Sequence, residues 1–242
     1  MKKYLPVLLF ILGLLVVVAA FFVVKSRKSS GIIEDESVPE IPLGERPYTS
    51  LTPTADGHYL KLEIKGIKVS GAESLDYELL YETKDEVTQG VPGSIMLSGK
   101  TSIDRELLLG SESSGKFRYD EGVTEGKLTL RFRNGGGKLL GKLSTDFHLQ
   151  TDTKSLLSLD GKFSFDLDKA SDEFFIVMST FGLPGEVAGD ISDGPYGIFS
   201  SGGDDFGGIV NMARMWDGSS WGELSGGKAS GLGVFVNLAS TN

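Results

Sequence analysis

The chain has no cysteine among its 242 residues. That absence excludes disulfides, thiol catalysis, zinc fingers and iron–sulfur ligation. A secreted domain below about 80 residues usually needs disulfides, but a larger one can rely on its core. Histidine is scarce, with only His58 and His148. Neither stands in a context suited to a Ser-His-Asp triad. Tryptophan is limited to Trp216 and Trp221. No stretch after Val24 repeats apolar residues at the 3.6-residue period, so the remainder of the chain is not expected to be helical.

What is present begins with an unbroken apolar run from Tyr4 to Val24, flanked by Lys2-Lys3 and by Lys25, Arg27 and Lys28. Its 21 residues would span roughly 31 Å as a helix, the hydrocarbon thickness of a bilayer. Two readings compete. Val18-Ala19-Ala20 offers a small-residue cleavage site for a secretory signal. Against that, the run continues through Phe21–Val24 into a basic stop, as an uncleaved anchor does, and the anchor is the preferred reading. Both flanks are basic, so charge alone does not orient it. The expected partner of residues 4–24 is the lipid bilayer.

Beyond residue 28 the balance reverses. Of the 24 basic and 33 acidic residues, five basic and no acidic ones lie in residues 1–28, which leaves a net −14 for Ser29–Asn242. So acidic a part repels phosphate, and nucleic acid is not an expected partner. Residues 29–57 hold Pro39, Pro42, Pro47 and Pro53 with Glu34-Asp35-Glu36, Glu40 and Glu45. This segment is expected to be an extended, solvated stalk.

From Tyr59 the pattern changes to period two. Leu60, Leu62 and Ile64 alternate with Lys61, Glu63 and Lys65, which predicts a half-buried strand. Gly66 shifts the phase towards Ile67 and Val69, which predicts a bulge. Alternation recurs at Leu75–Tyr81, Leu128–Phe132, Leu143–Leu149 and Phe163–Leu167. Turn chemistry separates these runs at Gly110–Gly115, Asn134–Gly137 and Asp160-Gly161. The run Glu173–Met178 is continuously apolar and suits a strand covered on both faces. After about residue 179 glycine density rises, with short strands expected at Ile209–Met215, Trp221–Leu224 and Val234–Leu238. The reading is an all-β protein: an antiparallel β-sandwich, Ig-like or jelly-roll-like, over 58–242, preceded by one transmembrane helix within 1–28.

Three motif matches dissolve on inspection. Ser94–Thr101 ends in Gly-Lys-Thr but has Ser at the first glycine position and an apolar strand where a phosphate loop belongs. Gly218–Gly222 spells G-x-S-x-G without the strand-to-helix elbow that gives it meaning. Asp166 and Asp168 lack the glycine and terminal glutamate of an EF-hand. Asp190, Asp193, Asp204 and Asp205 in glycine-rich loops are weak calcium candidates. The most distinctive local feature is Trp216-Asp217-Gly-Ser-Ser-Trp221. It offers a ligand-binding trio in Trp216, Asp217 and Trp221, set against a plain cross-strand aromatic pair. No cofactor is expected.

Function is accordingly read as non-enzymatic. The expectation is a single-pass, membrane-tethered, extracytoplasmic β-sandwich serving adhesion, envelope assembly or ligand display, with an envelope protein or glycan as partner. The alternatives are a carbohydrate-active enzyme, which requires two carboxylates about 5–10 Å apart, and a calcium-dependent binding module.

Overall fold

The computed structural model describes residues 38–203 and 205–239. They contain no α-helix, and none long and apolar enough to cross a membrane. The apolar run 4–24 lies outside the described residues. Residues from Glu40 onward form one compact unit.

Eighteen strands follow in chain order: β1 Tyr48–Pro53, β2 Tyr59–Lys65, β3 Ser74–Glu82, β4 Thr88–Met96, β5 Ser102–Leu108, β6 Gly110–Ser113, β7 Lys116–Tyr119, β8 Glu125–Arg133, β9 Leu139–Gln150, β10 Thr153–Leu157, β11 Ser164–Ser171, β12 Phe175–Ser179, β13 Ile191–Ser200, β14 Gly208–Val210, β15 Arg214–Trp216, β16 Trp221–Glu223, β17 Lys228–Ala229 and β18 Val234–Leu238. They build a nine-stranded sheet in the order β16-β15-β18-β13-β12-β9-β8-β3-β4, with smaller sheets β1-β2-β5, β10-β11-β14-β17 and β6-β7. All pairings are antiparallel. The all-β expectation is met.

Side-chain alternation places the small sheets. Leu75, Leu79 and Tyr81 of β3, Leu128, Leu130 and Phe132 of β8, and Phe147 and Leu149 of β9 share one core with Leu51, Leu60, Leu62 and Ile64. Phe163, Phe165, Leu167 and Val210 share a second core with Tyr196 and Ile198 of β13, Met215 of β15 and Phe235 of β18. Strand β12 divides itself between them: Ile176 and Met178 enter the first core, Phe175 and Val177 the second. Because successive side chains of a strand point to opposite faces, the two small sheets cover opposite faces of the large one. Within the run Glu173–Met178, residues Phe174 to Met178 are all apolar because Phe175 to Met178 meet a core on each side. Burying a side chain of the Leu or Phe class contributes about 1.5–3 kcal/mol, and β12 collects that contribution on both faces.

Each half of the large sheet therefore has one face covered by a small sheet and one that is not. On β3, β8 and β9 the uncovered face is polar. Arg131 pairs with Glu78 at 3.1 Å, Arg133 with Asp76 at 2.8 Å and Lys127 with Asp146 at 2.6 Å. Free edges are also managed. Leu97 N–H donates to Glu73 O at 2.8 Å and Thr83 N–H to Val87 O at 3.1 Å, which turns the odd-numbered residues of β4 towards β3. By that register Pro92 lies on the outward set, so its missing N–H interrupts the free edge.

Several expectations are corrected. Residues 40–57 are not stalk: Tyr48–Pro53 is β1, Leu51 is wholly buried and Ile41 is 4% exposed. The segment shows no period because both faces of β1 are covered. Gly66, with φ of +70°, follows the end of β2 rather than bulging it, and Ile67 still packs into the core. Gly110–Gly115 is not a simple turn, since Gly110–Ser113 pairs with β7. Ile209–Met215 is not one strand: Gly208–Val210 joins the four-stranded sheet and Arg214–Trp216 the nine-stranded one. His148 of β9 places its Nδ1 2.8 Å from Leu157 O.

Candidate functional site

On the face that carries the first core, the three-stranded sheet stops near β12. Thr49 N–H donates to Thr180 O at 3.0 Å, which stitches β1 to the end of β12. Beyond this line no second sheet covers the large one; the loop between β12 and β13 lies there instead, and Val234 and Val236 of β18 are buried. Register pairs Gly197 with Val234 and Val234 with Trp216. Phe199, two residues from Gly197, packs against the first core. These residues therefore share one face, and it is the face opposite Tyr196, Met215 and Phe235.

Over this face lies a groove of about 920 Å³. Phe199, Val234 and Trp216 contribute to it from the sheet, and Leu43, Leu183 and Ile191 from its margins. Arg46, Lys65 and Lys68 stand on the side of β1 and β2. Glu186 and Asp190 from the loop between β12 and β13, with Asp217 from the β15–β16 turn, supply the opposite charge. Arg46 is held by Glu40 at 2.5 Å and by Ile41 O at 2.8 Å, and Lys65 by Glu63 at 2.6 Å. Lys68, Glu186 and Asp190 make no ion pair among the described residues.

The Trp hairpin forms one end of the groove. Trp216 and Trp221 are cross-strand partners with ring centroids 5.7 Å apart at 62°, an edge-to-face contact. Trp221 donates its indole N–H to Gly185 O at 3.1 Å. A Cβ on Gly185 would stand 2.5 Å from the Trp216 ring, so only glycine lets the loop lie on the indole. Trp216 thus lines the groove while Trp221 holds the loop above it. Asp217 serves mainly the turn: its Oδ1 accepts from Ser219 N and Oγ, both at 2.8 Å, and from Ser220 N at 2.9 Å. The backbone N–H of Ser220, then that of Ser219, hold its carboxyl below the ordinary range.

The loop carboxylates are placed as follows. Asp190 lines the groove, Asp193 and Asp205 are exposed, and Asp204 lies outside the described residues. No three His, Asp or Glu side chains gather to hold a metal ion among the described residues. Elsewhere, carboxylates are tied to hydroxyls. Asp160 accepts from Ser158 and Tyr196, each at 2.5 Å, and Asp120 accepts from Tyr81 at 2.9 Å. Burial, then the hydrogen bond to Asp160, pushes the Tyr196 hydroxyl well above its ordinary value, so it stays a donor.

Sequence reasoning reached Trp216, Asp217 and Asp190 but missed Arg46, Lys65, Lys68, Gly185 and Glu186. The missed residues are distant in sequence and belong to no motif. The one local signal was Leu183-Pro184-Gly185, a glycine-containing loop directly after the doubly covered strand. No family model matches the chain, and the comparison with curated proteins found no match.

Proposed function

We propose that this chain is a membrane-tethered, extracytoplasmic β-sandwich that binds a partner and performs no chemistry, serving adhesion, envelope assembly or ligand display. The single observation that carries this reading is the groove on the face of the large sheet that no second sheet covers. Its apolar and aromatic floor, few unpaired charges and volume of about 920 Å³ fall within the range of roughly 300–1,000 Å³ common to ligand sites. The fold is read as a sandwich of the Ig-like or jelly-roll-like kind, extended because two small sheets share one large one. The apolar run 4–24 with its basic flanks supplies one transmembrane helix as the tether.

Both Trp residues of the chain bound or brace the groove, so their emission reports on its occupancy. Full-length protein is titrated with a panel of short peptides and of neutral, amino and acidic oligosaccharides. A saturable change in Trp fluorescence that disappears in Trp216→Ala is expected for at least one class. No response to any of them, or turnover of any glycan or ester, would overturn the reading.

A further inference from the structure

A second surface lies apart from the groove, on the hairpin β6–β7. Its burial pattern is exposed almost throughout, and its strands pair only with each other. Phe117 and Tyr119 are 49% and 38% exposed, the only aromatic side chains among the large exposed hydrophobic residues of the described structure. Alternation places them on one side of β7, with Lys116 and Arg118 on the other. An isolated two-stranded hairpin is marginal in water. This one is braced by a ring contact: His58 stacks on Tyr119 with centroids 3.7 Å apart and planes at 3°. Phe117 follows at 6.2 Å and 8°, and Tyr59 meets Tyr119 edge-on at 6.3 Å. The result is a row of near-parallel rings, His58–Tyr119–Phe117, which neither core uses.

At its His58 end the row meets a depression of about 560 Å³, which Phe117 and Tyr119 do not themselves line. His58 lines it, and Asp120, the residue after Tyr119, does so as well. Asp56, Glu121, Thr124, His148, Gln150, Thr151 and Thr153 add to its polar part. Asp56 is held in place by Thr54 Oγ at 2.5 Å and His58 N at 3.0 Å. Aromatic rings beside fixed hydroxyl and carboxylate groups meet the two needs of a sugar: a flat surface for its C–H face and hydrogen-bond partners for its hydroxyls. The carboxylates of the depression and the net −14 of Ser29–Asn242 repel anionic polymers and anionic lipid headgroups.

We propose that the Phe117–Tyr119–His58 row and the adjoining depression form a binding site for a neutral or amino-sugar-containing polysaccharide, separate from the Trp216 groove. The test is calorimetric titration of full-length protein in detergent micelles with cellohexaose and chitohexaose. Saturable binding of at least one hexasaccharide is expected, weakened at least tenfold by Phe117→Ala and by Tyr119→Ala. Trp216→Ala should stay within twofold of the parent, which separates this site from the groove. Phe117→Trp keeps a ring in place and should retain binding, so a general disturbance of the hairpin is told apart from loss of the stacking surface. Parent protein that binds neither hexasaccharide, or Ala variants that bind as the parent does, would overturn the proposal. So would quenching of the Phe117→Trp emission by brominated phospholipid in proteoliposomes without any response to hexasaccharide, which would assign the hairpin to the bilayer surface.

Discussion

On the β3–β8–β9 half of the nine-stranded sheet, the face away from the three-stranded sheet carries Asp76, Glu78, Lys127, Arg131, Arg133 and Asp146, joined across strands by ion pairs. On the β13–β18–β15 half, the face away from the four-stranded sheet carries Phe199, Val234 and Trp216. Both faces lack a covering sheet, yet one is finished for water and the other is not. Cross-strand charge pairs satisfy a solvated face at little energetic cost. An apolar and aromatic face roofed by a loop instead of a sheet, with Phe199 and Trp216 still part-exposed, is what an interaction site requires. The difference teaches where to look for function: at the uncovered half that did not become polar.

The largest expected effect tests whether the two halves are one cooperative body. Phe175→Ala and Ile176→Ala empty opposite cores from adjacent positions of β12. Each should cost about 2–5 kcal/mol. Because β12 belongs to both cores, a single denaturant transition should persist in each variant, followed by circular dichroism. Two separated transitions would break the picture of one shared sheet.

A middle-sized effect is expected at the open face. Gly185→Val would press on the Trp216 ring, where even a Cβ stands 2.5 Å away, and should destabilise by about 1–3 kcal/mol as the loop is displaced. Trp emission should shift to the red as the indoles gain solvent. Unchanged emission would mean that the loop does not close one end of the groove.

The smallest effect belongs to the polar face. Burial pushes the Asp76 carboxyl up, but hydrogen bonds from Ser94 and Arg133 and the charge of Arg133 outweigh it and hold it below 3.8. A depressed folded-state value stabilises the fold above the unfolded value, and this contribution is lost as pH falls through the folded value. Asp76→Asn should therefore lower Tm slightly at pH 7, by an effect of about 1 kcal/mol or less. Parent and variant should converge as pH falls through the depressed folded-state value of Asp76. Equal Tm at pH 7 would show that the ladder merely solvates this face.

Legibility followed the range of the interactions. Tyr59–Lys65 and Val234–Leu238 were readable to the residue because period two and turn residues are local signals. Asp160-Gly161 was readable as a turn for the same reason, with Ser158 N–H donating to Phe163 O at 3.1 Å across it. Tyr48–Pro53 was not, since a strand covered on both sides has no alternation to show. Phe117 and Tyr119 were also passed over: in a four-residue strand, two aromatics alternating with two cations look like any exposed edge. At the groove, Trp216 stood out by rarity, whereas Arg46 and Lys68 are ordinary residues that only packing brings opposite Glu186.

By itself, the sequence determined an acidic, cysteine-free β protein behind an apolar run with basic flanks, and the strands β2, β3, β8, β9, β11, β12, β16 and β18. Composition and period two suffice for that, because burial of one strand face is a local demand. Only tertiary structure decided that two small sheets cover opposite faces of one large sheet, and hence which half of it stays open beside Trp216. The face that each strand presents depends on partners as far along the chain as Thr49 is from Thr180, and no local pattern encodes that choice.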